Sequence, residues 1–294
     1  MTDIATSSQR TIVANGVDLC VQTFGTADAP AILLIAGAAS SMDWWEDEFC
    51  ERLAAGGRFV IRYDLRDTGQ SVTYQPGAPG YSGSDLVADA VGLLDALMIS
   101  RAHVVGISMG GGLAQRLALD HPTRVASLTL LSTSPGGPGG PDNPDLPPMS
   151  DELASVFAEP DPPPDWSDRA AVIEYLVEGQ RPFAGTLPFD EEGLRALLGT
   201  VVDRTIDIES SMTNHWILEG GDQPMRPRLG EITAPTLVLH GTDDPLFPYD
   251  HAEALAGEIR GAHLVPLAGV GHEMPPRPVW DLVLAEILAH TAER

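Results

Sequence analysis

Short, largely apolar runs rich in branched residues recur along the chain and predict buried strands. These runs are Ala31–Ile35, Phe59–Tyr63, Ala102–Ile107, Ala126–Leu131, Thr236–His240 and His263–Leu267. Other stretches carry apolar residues at the spacing of one helix face, and these predict helices. The predicted helices are Trp44–Ala55, Ser84–Leu97 with Ser84 as its N-cap, Met109–Asp120, Tyr249–Ile259 and Pro278–Thr291. This alternation indicates an α/β architecture, in which helices flank a mostly parallel sheet.

The start of the chain follows a different pattern. Two further predicted strands, Thr11–Ala14 and Asp18–Phe24, flank the pair Asn15-Gly16. Asn-Gly is the preferred sequence of a type I′ hairpin turn, because both of its central residues need a positive φ. We therefore expect an eight-stranded sheet that begins with an antiparallel hairpin.

The alternation stops between Thr133 and Leu229. The segment Pro135–Pro164 is dense in proline, which breaks helices and lacks a backbone donor, so it is predicted to be loop or extended chain. A disordered linker limited to Gly136–Pro148 is the alternative interpretation of its first part.

Three short helices are predicted in the rest of this insertion. They are Arg169–Glu178, Asp190–Gly199 and Ile208–Leu218. A long insertion between two core strands is typical of a cap over an active site. We therefore expect a core of residues 1–132 and 230–294, with a mainly helical cap of residues 133–229 inserted after the sixth strand.

Composition excludes several classes of partner. The 294 residues carry 17 basic and 42 acidic side chains, a formal net charge of −25, and every basic residue is arginine. So negative a surface disfavours nucleic acid and anionic membranes as partners and favours neutral or cationic substrates. The absence of lysine also excludes Schiff-base chemistry. No apolar run reaches the roughly 18–20 residues of a membrane-spanning helix.

Cysteines and the amino terminus bear on compartment and metal binding. Cys20 and Cys50 are too few for a disulfide framework and have no metal-ligand spacing, so we expect no metal. The sequence MTDIATSSQR lacks the basic start and apolar stretch of a secretory signal. The expected location is the cytoplasm.

The strongest chemical signal is Gly106-Ile107-Ser108-Met109-Gly110, between a predicted strand and a predicted helix. This context is typical of a nucleophile elbow, in which a strained turn exposes the serine hydroxyl. Gly111 and Gly112 open the helix against their propensity, which indicates close backbone approach. Glycine-rich turns also bind phosphate, but neither a Walker lysine nor dinucleotide-type glycine spacing is present.

A serine needs a neighbouring base, and eight histidines are candidates. We favour His272, because it follows the last predicted strand in a glycine-rich loop and so reaches the carboxyl edge of the sheet. His215, in the insertion, is the second candidate. The remaining six fit structural roles: His103, His240 and His263 in or at the ends of strands, His121 and His290 at helix ends, and His251 at an exposed helix start.

The base needs a carboxylate, and the reaction needs an oxyanion hole. Asp243 and Asp244 follow a predicted strand, and one of them is expected to enter the site while the other caps a turn. The backbone amides of Met109, after the nucleophile, and of Ala38, in the small-residue loop Ala36–Ser40, are the expected oxyanion donors.

Together these residues resemble the α/β-hydrolase superfamily over Val17–Ala292, including its chain order of serine, aspartate and histidine. Four segments resemble the aclacinomycin methylesterases: Ile35–Ser40, Trp44, Arg62–Ser71 and His103–Gly110. The resemblance implies a serine esterase without a cofactor that cuts a methyl ester from a polyketide glycoside. It selects Asp244 as the acid through the pattern Gly-x-x-Asp-x-x-x-Pro, and places the oxyanion donors on Ala38 and Met109.

The sequence departs from much of the superfamily at Ala36-Gly37, where many members have His-Gly, and the methylesterases share this departure. Asp64, Arg66 and Asp67 are expected to tie loops together near the site without a chemical role. Trp166 and Trp216 are candidates for lining the substrate pocket, with the core of the cap as the alternative.

The resulting hypothesis is a hydrolase of a small-molecule carboxylic ester that acts through Ser108, His272 and Asp244. A cofactor-free haloperoxidase or perhydrolase and a lactonase could use the same three residues, and hydrolysis of a carbon–carbon bond is a further option. Haloalkane dehalogenation is disfavoured, because it needs a carboxylate where Ser108 stands. A ligand-binding protein without activity is disfavoured by the intact set of three residues. The oligomeric state is left open.

Overall fold

An eight-stranded sheet runs through the described part of the chain, residues 8–137, 144–218 and 224–292 of a computed structural model. The strands are β1 (Arg10–Ala14), β2 (Val17–Phe24), β3 (Ala31–Ile35), β4 (Phe59–Tyr63), β5 (Ala102–Ile107), β6 (Val125–Leu131), β7 (Thr236–Gly241) and β8 (His263–Leu267). Their order across the sheet is β1-β2-β4-β3-β5-β6-β7-β8. The jump from β4 back to β3 and on to β5 is the crossover expected of an α/β sheet.

The first two strands form the predicted antiparallel hairpin. Its turn residues have the positive φ values that a type I′ turn requires, 49° at Asn15 and 76° at Gly16. Strand β2 also pairs antiparallel with β4, and all later neighbours are parallel. The predicted fold class, a mostly parallel eight-stranded sheet of the α/β-hydrolase type, is confirmed.

Helices cover both faces of the sheet. The helices of the described residues are α1 (Asp47–Ala55), α2 (Gly83–Ala96), α3 (Met109–Asp120), α4 (Asp151–Ala158), α5 (Arg169–Gln180), α6 (Glu191–Arg204), α7 (Ile208–Asn214), α8 (Asp250–Glu258) and α9 (Trp280–His290). Of these, α1, α2, α3, α8 and α9 pack on the sheet. Alternate strand residues separate two apolar clusters: Leu33 joins the one beneath α2, α3 and α8, and Leu34 joins the one beneath α1 and α9. Within the described ranges, no helix has both the length and the apolar character needed to cross a bilayer.

The starts of α1 and α2 differ from the sequence prediction for reasons that nearby side chains explain. The predicted helix Trp44–Ala55 divides into a 3₁₀ turn at Met42–Trp44 and α1, because the Trp45 side chain is buried against Phe49 and the chain is extended at Glu46. Helix α2 is capped by Ser82 instead of Ser84.

The Ser82 amide and hydroxyl both donate to the Asp85 carboxylate at 2.8 Å. Ser84 was predicted as the cap because it is the serine nearest the apolar stripe, whereas the observed cap lies two residues earlier and has Asp85 as its partner.

Helices α4 to α7 all lie between β6 and β7. Helix α4 corrects the expectation that Pro135–Pro164 holds only loop or extended chain. It fits because its residues, Asp151–Ala158, lie in the proline-free interval between Pro148 and Pro160. The Ser150 hydroxyl accepts the amide hydrogen of Leu153 at 3.2 Å and caps the helix.

The three predicted helices of the insertion are present as α5, α6 and α7, and the last ends in a 3₁₀ turn at His215–Ile217. They share an apolar cluster of their own, separate from the two that flank the sheet. Its buried members are Val172, Ile173, Leu176, Val177, Leu198, Val201 and Ile208. We call residues 133–229 the cap, and its division from the core stays a prediction.

The predicted alternative of a disordered linker at Gly136–Pro148 falls partly on residues 138–143, which lie outside the described residues. After them, two backbone carbonyls contact one residue of the cap and one of the core. The Pro144 carbonyl accepts from Arg226 at 2.9 Å, and the Pro147 carbonyl lies 2.9 Å from His251 Nε2.

Candidate active site

Ser108 lies in a sharp turn between β5 and α3. Its φ of 52° is unusual for a residue with a side chain, and the surrounding chain holds it there. Its amide donates to the Leu131 carbonyl at 3.0 Å, and its carbonyl accepts from the Thr133 hydroxyl at 2.8 Å. Such a strained turn presents the hydroxyl away from the sheet, as a nucleophile elbow requires.

The glycines around Ser108 are required by space. A Cβ atom on Gly106 would lie 2.2 Å from the Gly110 carbonyl oxygen, and one on Gly110 would lie 2.4 Å from the Ala36 carbonyl oxygen. Close approach also explains Gly111, whose Cβ would lie 2.6 Å from Thr133. The same explanation is wrong for Gly112, where the nearest atom would be 3.9 Å away.

Two loops bring an imidazole and a carboxylate to Ser108. His272 follows β8, and its Nε2 lies 3.0 Å from the Ser108 Oγ. Its Nδ1 lies 2.8 Å from Oδ2 of Asp244, which follows β7. The serine, imidazole and carboxylate that the sequence singled out are therefore within hydrogen-bonding distance of one another in the order that general-base activation requires.

The carboxylate of Asp244 is buried and held by backbone amides. Its Oδ1 accepts from Leu246 at 2.9 Å and from Phe247 at 2.8 Å, which leaves Oδ2 for His272. Asp243 is placed differently. Its carboxylate accepts from the hydroxyls of Thr186 and Thr242, and these hydrogen bonds lower its pKa. Of the two aspartates, only Asp244 contacts the imidazole.

A second imidazole lies beside Asp244. The side chain of His240 is fully buried, and its Nε2 lies 2.8 Å from the Phe247 carbonyl and 3.4 Å from Asp244 Oδ2. Burial lowers the pKa of His240 even though the Asp244 charge acts in the opposite direction. A neutral ring that donates at Nε2 supports the loop carrying Asp244. From its position at the end of a strand, His240 was predicted to have a structural role, without a named partner.

Ala38, in the loop after β3, and Met109, the first residue of α3, line the same cavity as Ser108. Within the described residues, neither amide donates a hydrogen bond to the protein. Both are consequently free to donate to a ligand oxygen. The next amide in the first loop, that of Ala39, donates instead to His215 Nδ1 at 2.9 Å.

Ser108 and His272 open into a cavity of about 370 Å³ beneath the cap. The cap and core supply mostly apolar walls. The apolar side chains are Trp44, Ile107, Leu176, Phe183, Leu198, Val201, Ile208, Met212, Trp216, Leu246, Phe247 and Met274. A larger open cleft of about 950 Å³ adjoins the cavity and shares Trp44, Gln180, Glu273 and Met274 with it.

The two tryptophans of the insertion are in different places. Trp216 lines the cavity, and its ring contacts that of Phe157 with a centroid distance of 6.3 Å. Trp166 does not line it, which corrects the expectation for this residue. Its ring packs against Tyr175 at 5.9 Å within the apolar cluster of the cap.

Two polar residues of the cavity were not predicted. Glu273 follows His272, and its Oε1 accepts from the amides of Gly271 at 3.2 Å and Gly185 at 3.4 Å. Burial raises the pKa of Glu273. The position of Glu273 directly after His272 in the sequence could have indicated that it lies at the site. Gln180, at the end of α5, had no sequence signal because only folding of the cap brings it to the cavity.

Other histidines also differ from expectation. His251 is buried instead of exposed, because its ring nitrogens contact the Ser134 hydroxyl and the Pro147 carbonyl. His215, the second candidate for the base, has both ring nitrogens engaged elsewhere, by the Ala39 amide and the Arg66 carbonyl.

The charged residues after β4 connect loops to the cap. Arg204, at the end of α6, binds both Asp43 and Asp64, and the two carboxylates are buried. Nearby, Arg66 donates to both carboxylate oxygens of Asp89 at 2.7 Å. Asp67 accepts from the cap and the core together, through Asn214 at 2.9 Å and Tyr81 at 2.7 Å.

The fold and this geometry agree with comparisons to known proteins. A family model described as the alpha/beta hydrolase fold matches residues 30–275, so the chain belongs to the α/β-hydrolase family. Rhodomycin D methylesterase DauP of Streptomyces sp. (strain C5) is 35% identical to this chain, and the match covers 96% of this chain and 97% of that protein. Rhodomycin D methylesterase DnrP of Streptomyces peucetius is 34% identical, with 90% and 91% covered.

A solved structure is similar as well. The crystal structure of a hydrolase from Pseudomonas aeruginosa PA01 is 25% identical, has a TM-score of 0.70, and covers 98% of this chain and 99% of its own. The predicted resemblance to α/β hydrolases, and to methylesterases among them, is confirmed. The family match and the two methylesterase relatives together show that the chain is a carboxylic ester hydrolase.

Proposed function

We propose that the chain hydrolyses a carboxylic ester through an acyl-enzyme on Ser108. The observation that carries this proposal is the continuous contact from Ser108 Oγ to His272 at 3.0 Å and from His272 to Asp244 at 2.8 Å, at the floor of an apolar cavity. A buried carboxylate on Nδ1 holds the ring with its proton on that nitrogen. Nε2 is then free to accept the serine proton.

In the first half of the reaction, Ser108 Oγ attacks the ester carbonyl carbon and its proton passes to His272 Nε2. The carbonyl oxygen becomes an oxyanion and accepts from the Ala38 and Met109 amides, each worth roughly 10²–10³ in rate. Collapse of this intermediate breaks the bond to the alcohol oxygen. That oxygen takes the proton from His272 and leaves as the alcohol.

In the second half, water replaces the alcohol. His272 Nε2 accepts a proton from the water as its oxygen attacks the acyl carbon, and the same two amides stabilise the second oxyanion. The bond to Ser108 Oγ breaks, the serine regains its proton from His272, and the free acid departs. The enzyme returns to its starting state, and one water molecule has been consumed for each ester bond broken.

For the substrate, we propose a methyl ester of a polyketide-like small molecule. Two rhodomycin D methylesterases are relatives at 35% and 34% identity over nearly the whole chain. The cavity of about 370 Å³ has mostly apolar walls that include Trp44, Phe183 and Trp216, which suits a flat, apolar acid component. The adjoining cleft of about 950 Å³ provides space for a polar appendage.

Replacing the nucleophile tests the mechanism. We expect Ser108→Ala to lower kcat for p-nitrophenyl acetate by roughly 10⁴-fold or more, because no other group can form the acyl-enzyme. Thermal unfolding of the variant should stay close to that of the parent, since the substitution removes one half-buried hydroxyl and leaves the turn unchanged. Hydrolysis by Ser108→Ala at the rate of the parent protein would disprove the proposal.

A substrate panel tests the proposed ester class. Methyl, acetyl and longer-chain esters, lactones, and acetate with hydrogen peroxide are compared by kcat/KM on the parent protein. We expect methyl esters of bulky aromatic acids to exceed the rest. A preference for lactones, or peracid formation faster than ester hydrolysis, would contradict the proposed substrate class. Neither result would contradict the role of Ser108.

A further inference from the structure

One imidazole of the cap contacts the loop Ala36–Ser40. His215 follows α7 and is 6% exposed, and its Nδ1 accepts the amide hydrogen of Ala39 at 2.9 Å. Its Nε2 lies 2.8 Å from the Arg66 carbonyl, which can only accept. The two contacts therefore require one tautomer, neutral and protonated at Nε2. Burial lowers the pKa of His215 and so favours the same neutral form.

The contacted loop has a conformation that needs support. Ala39 has a φ of 58°, in the left-handed region that is unfavourable for a residue with a side chain. The peptide between Ala38 and Ala39 is held at both ends, since its carbonyl accepts from the Ser40 hydroxyl at 3.1 Å and its amide donates to His215. A second cap residue, Ser211, donates to the Ala39 carbonyl at 3.4 Å.

The held peptide directly follows the candidate oxyanion donor. The Ala38 amide nitrogen is bonded to the Cα atom at which this peptide begins. Displacement of the Ala38–Ala39 peptide would therefore shift that Cα atom and move the Ala38 amide relative to Ser108. The contact with His215 occupies the Ala39 amide, whereas the neighbouring Ala38 amide has no acceptor among the residues that the structure describes. Preorganised donors are effective because they need no rearrangement when charge develops.

We propose that His215 is a positioning residue for ester hydrolysis, which sets the Ala38 amide in place by accepting the Ala39 amide hydrogen. This role rests on the proposed function of Ser108 and adds a requirement that the cap be in place for the oxyanion hole to form. His215 does not exchange protons with substrate, because both of its ring nitrogens are bound to the backbone.

Three substitutions separate the contact to Ala39 from the volume of the ring. His215→Phe keeps a ring and removes both contacts. His215→Asn places an amide oxygen near the position of Nδ1 and can still accept from Ala39, whereas His215→Gln places its amide near the position of Nε2. We expect His215→Phe and His215→Gln to lower kcat by roughly 10- to 100-fold, the effect of a slight misplacement of a catalytic group.

The proposal predicts that the three substitutions change kcat by different amounts and leave KM nearly unchanged. KM should stay within about threefold of the parent in all three variants, and His215→Asn should recover at least fivefold in kcat over His215→Phe. His103→Phe is the matched control, because that partly buried histidine at the start of β5 bonds Ser127 outside the cavity. It should leave kcat unchanged. Parental kcat in His215→Phe, or equal kcat in His215→Asn and His215→Phe, would overturn the role.

A transition-state analogue gives an independent readout. A trifluoromethyl ketone places its hemiketal oxygen in the oxyanion hole, so its inhibition constant should rise in step with the loss of kcat/KM across the variants. An inhibition constant that stays constant while kcat falls would overturn the role. The same ketone separates the two proposals, because failure of the parent protein to bind it or to hydrolyse any ester would contradict the function of Ser108 itself.

A measurement on the unaltered protein does not depend on folding of a variant. Nitrogen-15 spectra of histidine-labelled protein report which ring nitrogen carries the proton. We expect His215 to be neutral and protonated at Nε2 near pH 7, assigned by the signal missing from His215→Asn. A proton on Nδ1 would overturn the role, because such a ring cannot accept from Ala39.

Discussion

At the scale of single residues, the proposed mechanism depends on which of two adjacent carboxylates contacts His272. Asp244 uses one oxygen for the amides of Leu246 and Phe247 and the other for His272. Asp243 faces two threonine hydroxyls at the edge of the cap. The sequence could place both aspartates after β7, and the motif pattern chose between them, but no local rule says which side chain enters the site.

The pair provides a matched test. We expect Asp244→Asn to lower kcat by roughly 10⁴-fold, because an amide on Nδ1 stabilises the wrong tautomer of His272 and cannot balance its positive charge. Asp243→Asn changes the same functional group one residue away and should leave kcat close to that of the parent. Steady-state hydrolysis of a p-nitrophenyl ester measures both. A larger loss in Asp243→Asn than in Asp244→Asn would reverse the assignment.

At the scale of elements, the turn from β5 into α3 is the feature best specified by its own residues. An apolar strand, the glycines at 106 and 110 and a periodic helix were all visible in the sequence, and the structure has α3 with the predicted bounds Met109–Asp120. Elements whose ends depend on partners elsewhere were predicted less well. Helix α1 starts later than predicted because Trp45 is buried. Helix α4 was missed because the proline content of the whole segment Pro135–Pro164 hid a shorter stretch without proline, in which this helix forms.

Two glycines of this turn should respond oppositely to alanine. Gly106→Ala puts a Cβ 2.2 Å from the Gly110 carbonyl oxygen, so we expect a loss of about 1–3 kcal/mol in the free energy of unfolding together with lower kcat. Gly112→Ala meets nothing nearer than 3.9 Å and should raise the free energy of unfolding by up to about 1 kcal/mol through helix propensity. Urea denaturation measures both. Equal free energies for the two variants would contradict the steric account.

At the scale of the whole molecule, the sheet and its triad residues follow from patterns within short segments, while the cap does not. The predicted strands, the hairpin and the residues at the carboxyl edge of the sheet needed only local periodicity and the rules of parallel sheets. The contacts of His215 with Ala39, and of Arg204 with Asp43 and Asp64, join residues more than a hundred positions apart. Nothing in the local sequence of the cap indicates such partners.

Histidines with lowered pKa values also make the stability of the whole molecule depend on pH. Burial, followed by the charge of Arg58, lowers the pKa of His103 to about 4 from an unfolded value near 6.5. Between these values the unfolded chain binds the proton and the folded chain does not. Stability is therefore full above about pH 6.5 and declines as the pH falls toward 4. His215 and His240, whose pKa values are also lowered, act in the same direction.

His103→Asn isolates this contribution, because asparagine can bond Ser127 and does not titrate. Urea denaturation at a series of pH values between 8 and 4 compares the two proteins. We expect the parent to lose more free energy of unfolding than the variant over this range, with the difference growing as the pH falls. Parallel curves would show that His103 does not contribute.

The central claim, that Ser108 is a nucleophile activated by His272, is tested most directly by covalent labelling. The parent protein is treated with a fluorophosphonate, which reacts with activated serine hydroxyls, and the adduct is located by peptide mass spectrometry. We predict one adduct per chain, on Ser108, and a labelling rate that falls steeply in His272→Ala. A parent protein that hydrolyses esters while its adduct maps to another residue, or while Ser108 remains unlabelled, would contradict the account.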